Sequence, residues 1–192
     1  MRFLIASDIH GSATWCERLL DVVERERPDR ILLLGDVLYH GPRNDLPEGY
    51  APKQVIAMLN PLAASIVAVR GNCEAEVDQM VLDFPCMAAY STILDPTATR
   101  SADGSERTTP GCELFLSHGH VYGAGFHNSV DRLPELPQGS VLLYGHTHKK
   151  VSEPAPGHDG VWAFNPGSVS IPKDGTHSCG MYEDGALRHI VL

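Results

Sequence analysis

Seven positions of this chain carry side chains able to bind hard or borderline metal ions: Asp8 and His10, Asp36, Asn72, His118, and the pair His146 and His148 in Gly-His-Thr-His. Nearly every one directly follows a short apolar run. Apolar strands cannot solvate carboxylates and imidazoles, so a row of such groups at successive strand ends points to convergence on something positively charged, most simply a metal centre. One divalent ion rarely takes seven side chains, whereas two ions sharing a bridging carboxylate do. Asp8-x-His10 and Gly35-Asp36 are weak alone, whereas Gly145-His146-Thr147-His148 is stronger, since two imidazoles crowd one small region. An Asp near a helix start is often an N-terminal cap, and a His pair in a turn can be merely solvated. Four independent accidents of this kind, in order and each at a strand end, are far rarer than one shared site.

The elements that must position these residues are legible in the hydrophobic pattern. Arg2 to Ala6 reads as a strand, followed by a polar loop and an amphipathic helix from about Ala13 to Glu26. Arg30 to Leu34 is continuously apolar after its first residue, the pattern of a strand covered on both faces, and Gly35-Asp36 ends it. A long Gly- and Pro-containing loop leads to a second helix, Pro52 to Asn60, and then to a strand, Ile66 to Val69, terminated by Gly71-Asn72. This repeated strand-loop-helix order predicts parallel strands with polar loops at their carboxyl ends, where open α/β sheets place ligands.

Beyond Met87 the segments shorten and become β-like: Met87 to Leu94, Cys112 to Ser117, Val141 to Tyr144, Val161 to Phe164, and a hairpin from His177 to Val191 with Asp184-Gly185 at its turn. Asn165-Pro166-Gly167-Ser168 reads as a turn, and Asn165 as a turn residue. The segment Asp95 to Gly111 has almost nothing to bury and is expected to be a mobile surface loop.

A length of 192 residues predicts one domain spanning 1–192. No apolar stretch approaches the roughly 20 residues of a membrane helix, which argues against a span. The N-terminal apolar run stops at the candidate ligand Asp8, so it reads as a strand rather than a removable signal. Cys16, Cys73, Cys86, Cys112 and Cys179 are odd in number and lack CxxC spacing, which fits reduced thiols; a cytoplasmic protein is expected. A formal net charge of -9 argues against bulk nucleic-acid binding.

The ordered blocks Asp8-Ile9-His10, Gly35-Asp36, Gly71-Asn72-Cys73-Glu74, His118-Gly119-His120 and Gly145-His146-Thr147-His148 resemble the signature of the calcineurin-like metallophosphoesterase superfamily. The likeness runs from residue 8 to 148, and the Asn-Pro-Gly-Ser turn extends it to 168. Within the superfamily, the short chain and Cys73 are similar to the small bacterial YfcE-type phosphodiesterases. The resemblance implies an α/β fold, a four-layer α/β/β/α sandwich with two mixed β-sheets flanked by helices. It also implies that Asp8, His10, Asp36 and His148 hold one metal while Asp36, Asn72, His118 and His146 hold the other. Asp36 would be the bridge, because a carboxylate can offer one oxygen to each ion, and Asn72 would add a neutral oxygen. Mixed imidazole and oxygen ligands suit two divalent ions of manganese, iron or zinc; the family likeness favours Mn2+, although general affinity order favours Zn2+ over it.

The activity implied is hydrolysis of a small organic or nucleotide-like phosphodiester by a water or hydroxide bound to the dinuclear centre, with the metals about 3.5–4 Å apart. A homodimer is expected from the resemblance. Phosphomonoester hydrolysis is the alternative within the enzyme class. A non-catalytic scaffold of the same fold, like the similar retromer subunit, is the alternative outside it, although a suitable residue stands at all seven positions. The departure from the family lies at Cys73, where many members have a His associated with the leaving group. A thiol of ordinary pKa, about 8.5, cannot supply a cationic donor. His120 is the nearest substitute by sequence, with orientation of a ligand as its other reading. Cys73 itself is assigned to the leaving-group side or to packing beside the site, with thiolate ligation as a third possibility. His40, His127, His158, His177 and His189 fall outside the match; His127 reads as a solvated loop residue, with substrate contact as the alternative.

Overall fold

Alternation along the strands sorts the apolar residues into three layers. In the computed structural model, which describes residues 1–192 apart from the side chain of His127, β1 (Arg2–Ala6) pairs in parallel with β2 (Arg30–Leu33), and β2 with β3 (Ile66–Ala68). The hairpin of β11 (Ser178–Glu183) and β12 (Ala186–Val191) completes this first five-stranded sheet, in the order β12-β11-β1-β2-β3. The second sheet contains β4 (Tyr90–Asp95), β5 (Cys112–Ser117), β8 (Val141–Leu143), β10 (Trp162–Pro166) and β9 (Lys150–Pro154), in that spatial order. Its three central strands are parallel and its two edges antiparallel. A two-stranded ribbon, β6 (Gly123–Ala124) with β7 (Asp131–Arg132), lies outside both sheets.

Leu4, Ala6, Ile31 and Leu33 face the helices α1 (Ala13–Glu26) and α2 (Pro52–Leu59), meeting Cys16, Leu19, Val55 and Leu59. Their neighbours Phe3, Ile5, Leu32 and Leu34 point the other way, onto Leu114, Leu116, Leu143 and Phe164 of the second sheet. The outer face of that sheet, with Phe115, Leu142, Tyr144 and Ala163, is covered by Tyr122, Leu133 and Leu136 from the segment after β5. The fold is therefore α/β with two mixed sheets packed face to face. Its fourth layer is thin: among the described residues, the helical structure there is the 3-10 turn Phe126–Asn128. Strands buried on both faces need apolar residues at every position, and each large side chain so buried contributes about 1.5–3 kcal/mol.

The start of α1 settles the capping question at Asp8. Ser12 is the N-cap: its Oγ accepts from Trp15 N at 3.2 Å and donates to Glu48 O at 2.5 Å. Asp8 is left free for another role. Several elements differ from the sequence reading. The fourth strand begins at Tyr90 rather than Met87. The six-residue α3 (Glu76–Val81) and the edge strand β9, with a single buried side chain, were too short or too polar to carry a periodic signal. Asn165 and Pro166 end β10, and the bend falls at Gly167, with φ 83°. The segment 95–111 is anchored rather than free: Ala98 and Ala102 are buried in the inter-sheet core, and Thr99 donates from its N (2.8 Å) and Oγ1 (2.6 Å) to the Asp184 carboxylate.

Segment 166–170 ties the two sheets together, with Ser178 Oγ donating to Pro166 O at 2.7 Å and Val169 N to Ser7 O at 3.0 Å. Beside it, Gly180 of β11 lies under the Phe164 ring; a Cβ there would stand 2.5 Å from Phe164 Cε1. Gly180→Ala is therefore expected to destabilise the protein by about 1–3 kcal/mol, read as a lower midpoint in urea denaturation. Combining it with Phe164→Leu should cost less than the two changes summed, because the smaller side chain removes the clash.

Candidate metal centre

All seven sequence-predicted ligands sit at one edge of the two sheets, beyond the carboxyl ends of parallel strands. Asp8 and His10 follow β1, Asp36 follows β2, Asn72 follows β3, His118 directly follows β5, and His146 and His148 follow β8. The parallel pairing of β1 and β2 continues into the loops, where Asp8 N donates to Gly35 O (3.1 Å), His10 N to Asp36 O (2.9 Å) and Gly11 N to Val37 O (2.8 Å). Gly145 N likewise donates to His118 O at 2.9 Å in the second sheet. Two glycines permit the loops to close on one another: a Cβ on Gly71 would collide with Asp36 Oδ1, and one on Gly145 with Ser7 Oγ.

Backbone strain is concentrated here. Among the described residues, eight other than glycine have positive φ, and five of them are candidate ligands: Asp8 (58°), His10 (47°), Asp36 (55°), His146 (67°) and His148 (58°). Each such conformation costs on the order of 1 kcal/mol and persists where the surroundings over-determine it. Ser168 and Ser170 both donate their hydroxyls to Asp8 O, at 2.9 and 3.2 Å, and help to hold the first of these turns.

Three imidazoles are oriented alike. His10 Nδ1 lies 2.7 Å from Tyr39 O, His118 Nδ1 2.6 Å from Leu34 O, and His148 Nδ1 2.5 Å from Ile171 O. A carbonyl can only accept, so each Nδ1 carries the proton and each neutral ring presents its Nε2 lone pair inward. These lone pairs meet other acceptors. His10 Nε2 is 3.2 Å from His148 Nε2, His148 Nε2 is 3.2 Å from Asp8 Oδ1, and His118 Nε2 is 3.4 Å from Asp36 Oδ2 and 3.1 Å from Asn72 Oδ1. Asp8 Oδ1 is buried and accepts no hydrogen bond, while Asp8 Oδ2 takes His146 N at 3.1 Å. Buried acceptors facing acceptors are tolerable only around a positive charge, so the donor set fits divalent cations.

The electrostatics agree. Burial would lower the His118 pKa, but Asp36 outweighs it and raises the group to about 9. Burial would raise the Asp36 carboxyl, but His118 outweighs it and holds it at about 2. Asp8 is held well below the usual carboxylate range, the nearby His148 prevailing over burial. The clustered carboxylates thus draw positive charge onto the imidazoles themselves. The site also has a deep and an open side: Asp8, His10, Asp36, His118 and His148 are buried, whereas Asn72 is exposed and His146 intermediate. The His146 ring lies 5.1 Å from that of His118.

Glu74 plays a part that its sequence position did not reveal. Its buried carboxylate accepts from Asp36 N (3.0 Å), Val37 N (2.7 Å) and Gly71 N, fixing the loops that carry Asp36 and Asn72 relative to each other. Asn165 does the same for the His146 loop, donating from Nδ2 to Gly145 O (2.8 Å) and Thr147 Oγ1 (3.0 Å). It is a buried positioning residue, which its turn-like context concealed.

Cys73 lies at the rim of the cluster. Its Sγ is within 4.8 Å of ligand-type atoms of His10 and Asp36, and its N donates to Asp36 Oδ1 at 2.9 Å. Burial and then Asp36 push the thiol pKa above its usual range, which keeps it neutral. His120 stands on the other side, its ring 5.3 Å from that of His118 and 6.2 Å from that of His146, with Nδ1 buried and unpartnered. Burial and then His118 lower its pKa to about 4. The remaining histidines have structural partners: His158 pairs with Asp131 (2.9 Å), His177 stacks on Trp15, His189 stacks on Phe164, and His40 packs edge-on against Tyr50. The side chain of His127 lies outside the described residues. A cavity of about 570 Å³ opens over the centre, and its lining includes Asp36, Asn72, His146, His148, Arg43 and Lys173.

Residues 1–184 match the calcineurin-like phosphoesterase superfamily domain. Phosphodiesterase YfcE of Escherichia coli strain K12 is 45% identical over 193 aligned residues, which cover 100% of this chain and 92% of that protein. The structure of an Escherichia coli YfcE phosphoesterase superposes with a TM-score of 0.80 at 44% identity, covering 95% of this chain and 88% of the other. An archaeal phosphodiesterase, 22% identical and fully covered on both sides at a TM-score of 0.61, shares the fold. No helix among the described residues is long and apolar enough to cross a membrane. With a full-length relative at this identity and a clustered Asp and His site at the expected strand ends, the chain belongs to the calcineurin-like phosphoesterase superfamily and is a phosphoric ester hydrolase of that family.

Proposed function

We propose that this enzyme hydrolyses phosphodiesters at a centre of two divalent metal ions. The observation that carries the proposal is the meeting of three Nε2 lone pairs with an unpartnered Asp8 oxygen and Asp36 Oδ2 in one buried cluster. The similarity to a full-length relative named as a phosphodiesterase supports the choice of ester. Asp8, His10, Asp36 and His148 would hold the deeper ion, and Asp36, Asn72, His118 and His146 the one nearer the cavity, with Asp36 shared. Manganese is the first expectation, ahead of zinc or iron. When bound, two such ions supply Lewis acidity toward the phosphoryl oxygens and an activated water for attack on phosphorus.

The chain's own groups do the rest. Asp36 lies between the two proposed ligand sets, its Oδ2 facing both His10 and His118 and its Oδ1 taking Cys73 N, which suits it to be shared. The backbone carbonyls of Tyr39, Leu34 and Ile171 hold three imidazoles in one tautomer. Exposed Asn72 and half-buried His146 border the cavity, and the substrate phosphate would enter against them. His120 stands at the leaving-group side, and Cys73 is a neutral neighbour of the centre. We further propose that the chain acts as one domain on a small substrate, as a homodimer in a reducing cytoplasm; its five cysteines are all free.

Removing divalent ions with a strong chelator is expected to abolish turnover of bis(p-nitrophenyl) phosphate, and added Mn2+ to restore it; undiminished activity in a metal-free sample, checked by elemental analysis, would overturn the metal mechanism. Glu74→Gln turns one of the two accepting oxygens into an NH2 donor, which then faces at least one of the three backbone N–H groups, and is expected to weaken metal binding about 10- to 100-fold, measured by metal titration. His120→Ala should slow alkyl esters more than aryl esters, because a departing alkoxide needs a proton and the His120 ring, neutral with its lowered pKa, can still supply one from its N–H. Equal slowing of both would assign His120 to orienting a ligand instead.

A further inference from the structure

The mouth of the cavity carries two cations that the metal centre does not require. Arg43 and Lys173 both line it, both are exposed, and neither forms an ion pair with a carboxylate among the described residues. They come from different loops, each fixed close to the centre. Lys173 N donates to His148 O at 2.9 Å, so this loop is tied to a candidate ligand. The turn bearing Arg43 is closed by Asn44, whose Nδ2 donates to His40 O at 2.8 Å, and it rests on the centre itself: a Cβ on Gly41 would stand 3.1 Å from Cys73 Sγ.

The charge balance makes these cations informative. A phosphodiester carries one negative charge, and two divalent ions against Asp8 and Asp36 already exceed it. The chain as a whole is acidic, with a net charge of -9, so two unpaired cations in one cavity create a local field opposed to that of the protein. Guanidinium and ammonium groups that face a cavity without carboxylate partners are suited to a second anion, which a guanidinium can grip with two parallel hydrogen bonds.

We propose that Arg43 and Lys173 form a second anion subsite, and that the substrate is a phosphodiester whose retained arm carries a further phosphate or carboxylate. The proposal rests on the phosphodiesterase reading above. Hydrolysis then breaks the P–O bond to the leaving alcohol and adds water oxygen to phosphorus, while the charged arm stays on the phosphate and anchors the product.

Three p-nitrophenyl diesters with the same leaving group test this on the manganese-loaded protein: one with a propyl arm, one with a 3-carboxypropyl arm and one with a 3-phosphopropyl arm. The charged arms should be preferred by about tenfold in kcat/KM, chiefly through KM, since exposed charges act on binding more than on chemistry. The stronger of the two identifies which anion is taken. The preference should vanish in the Arg43→Ala/Lys173→Ala double variant and survive only in part in Arg43→Lys, which keeps the charge but loses the paired hydrogen bonds. Equal rates on all three esters, or a preference that persists in the double variant, would overturn the proposal. Calorimetric binding of 3-phosphopropyl phosphate against propyl phosphate separates the two levels. If no diester turns over but the bisphosphate still binds more tightly, and only when Arg43 and Lys173 are present, the subsite stands and the diesterase reading fails.

Discussion

The rest of this structure is arranged around a cluster of acceptors that have no donors. Tyr39 O, Leu34 O and Ile171 O take the Nδ1 protons of three imidazoles, which leaves His10, His118 and His148 with only lone pairs to present to each other and to Asp8 and Asp36. Each buried acceptor without a partner costs about 1–3 kcal/mol, and an unpaired buried carboxylate costs more. The raised pKa of His118 is the same fact in another form: without cations from outside, the cluster takes protons. A chain that folds into this geometry spends stability on it, and the inter-sheet core and the helix-facing core must offset that cost.

That demand explains the architecture at the site edge. Candidate ligands whose acceptors face one another must be held by structure they do not themselves stabilise, and each lies in the loop just beyond a buried parallel strand. The loops then continue the ladder hydrogen bonds of β1 and β2 past the sheet, and Glu74 clamps three backbone N–H groups of neighbouring loops. Segment 166–170 crosses from β10 to the end of β1 and fixes Asp8 O through two serine hydroxyls. Five left-handed conformations at candidate ligands record the strain that this scaffold imposes.

The centre divides by exposure into a sealed side and a working side. Asp8, His10 and His118 lie within the protein, whereas exposed Asn72 and half-buried His146 border the cavity together with Asp36 and His148. The cations Arg43 and Lys173 line the same cavity, while neutral Cys73 and His120 flank the ligand cluster, Cys73 beside His10 and Asp36 and His120 beside His118 and His146.

The sequence by itself determined which residues would converge. An apolar run ending in Asp, Asn or His is a local statement about what a strand can bury, and β1, α1 and β5 fall at the boundaries that periodicity predicts. It also carried the family, because the motif residues are few, ordered and chemically constrained. Tertiary structure alone decided the rest. Glu74 and Asn165 work through backbone groups distant in sequence, and a carbonyl that selects a tautomer leaves no trace in residue identity. The anchoring of segment 95–111 depends on Asp184, almost ninety positions away. Short elements such as α3 and β9 lack enough periods to announce themselves, so packing decides them. Whether a cation on a loop meets a carboxylate or an open cavity is likewise a matter of through-space distance, which is why Arg43 and Lys173 look ordinary in the sequence and become informative only in the fold.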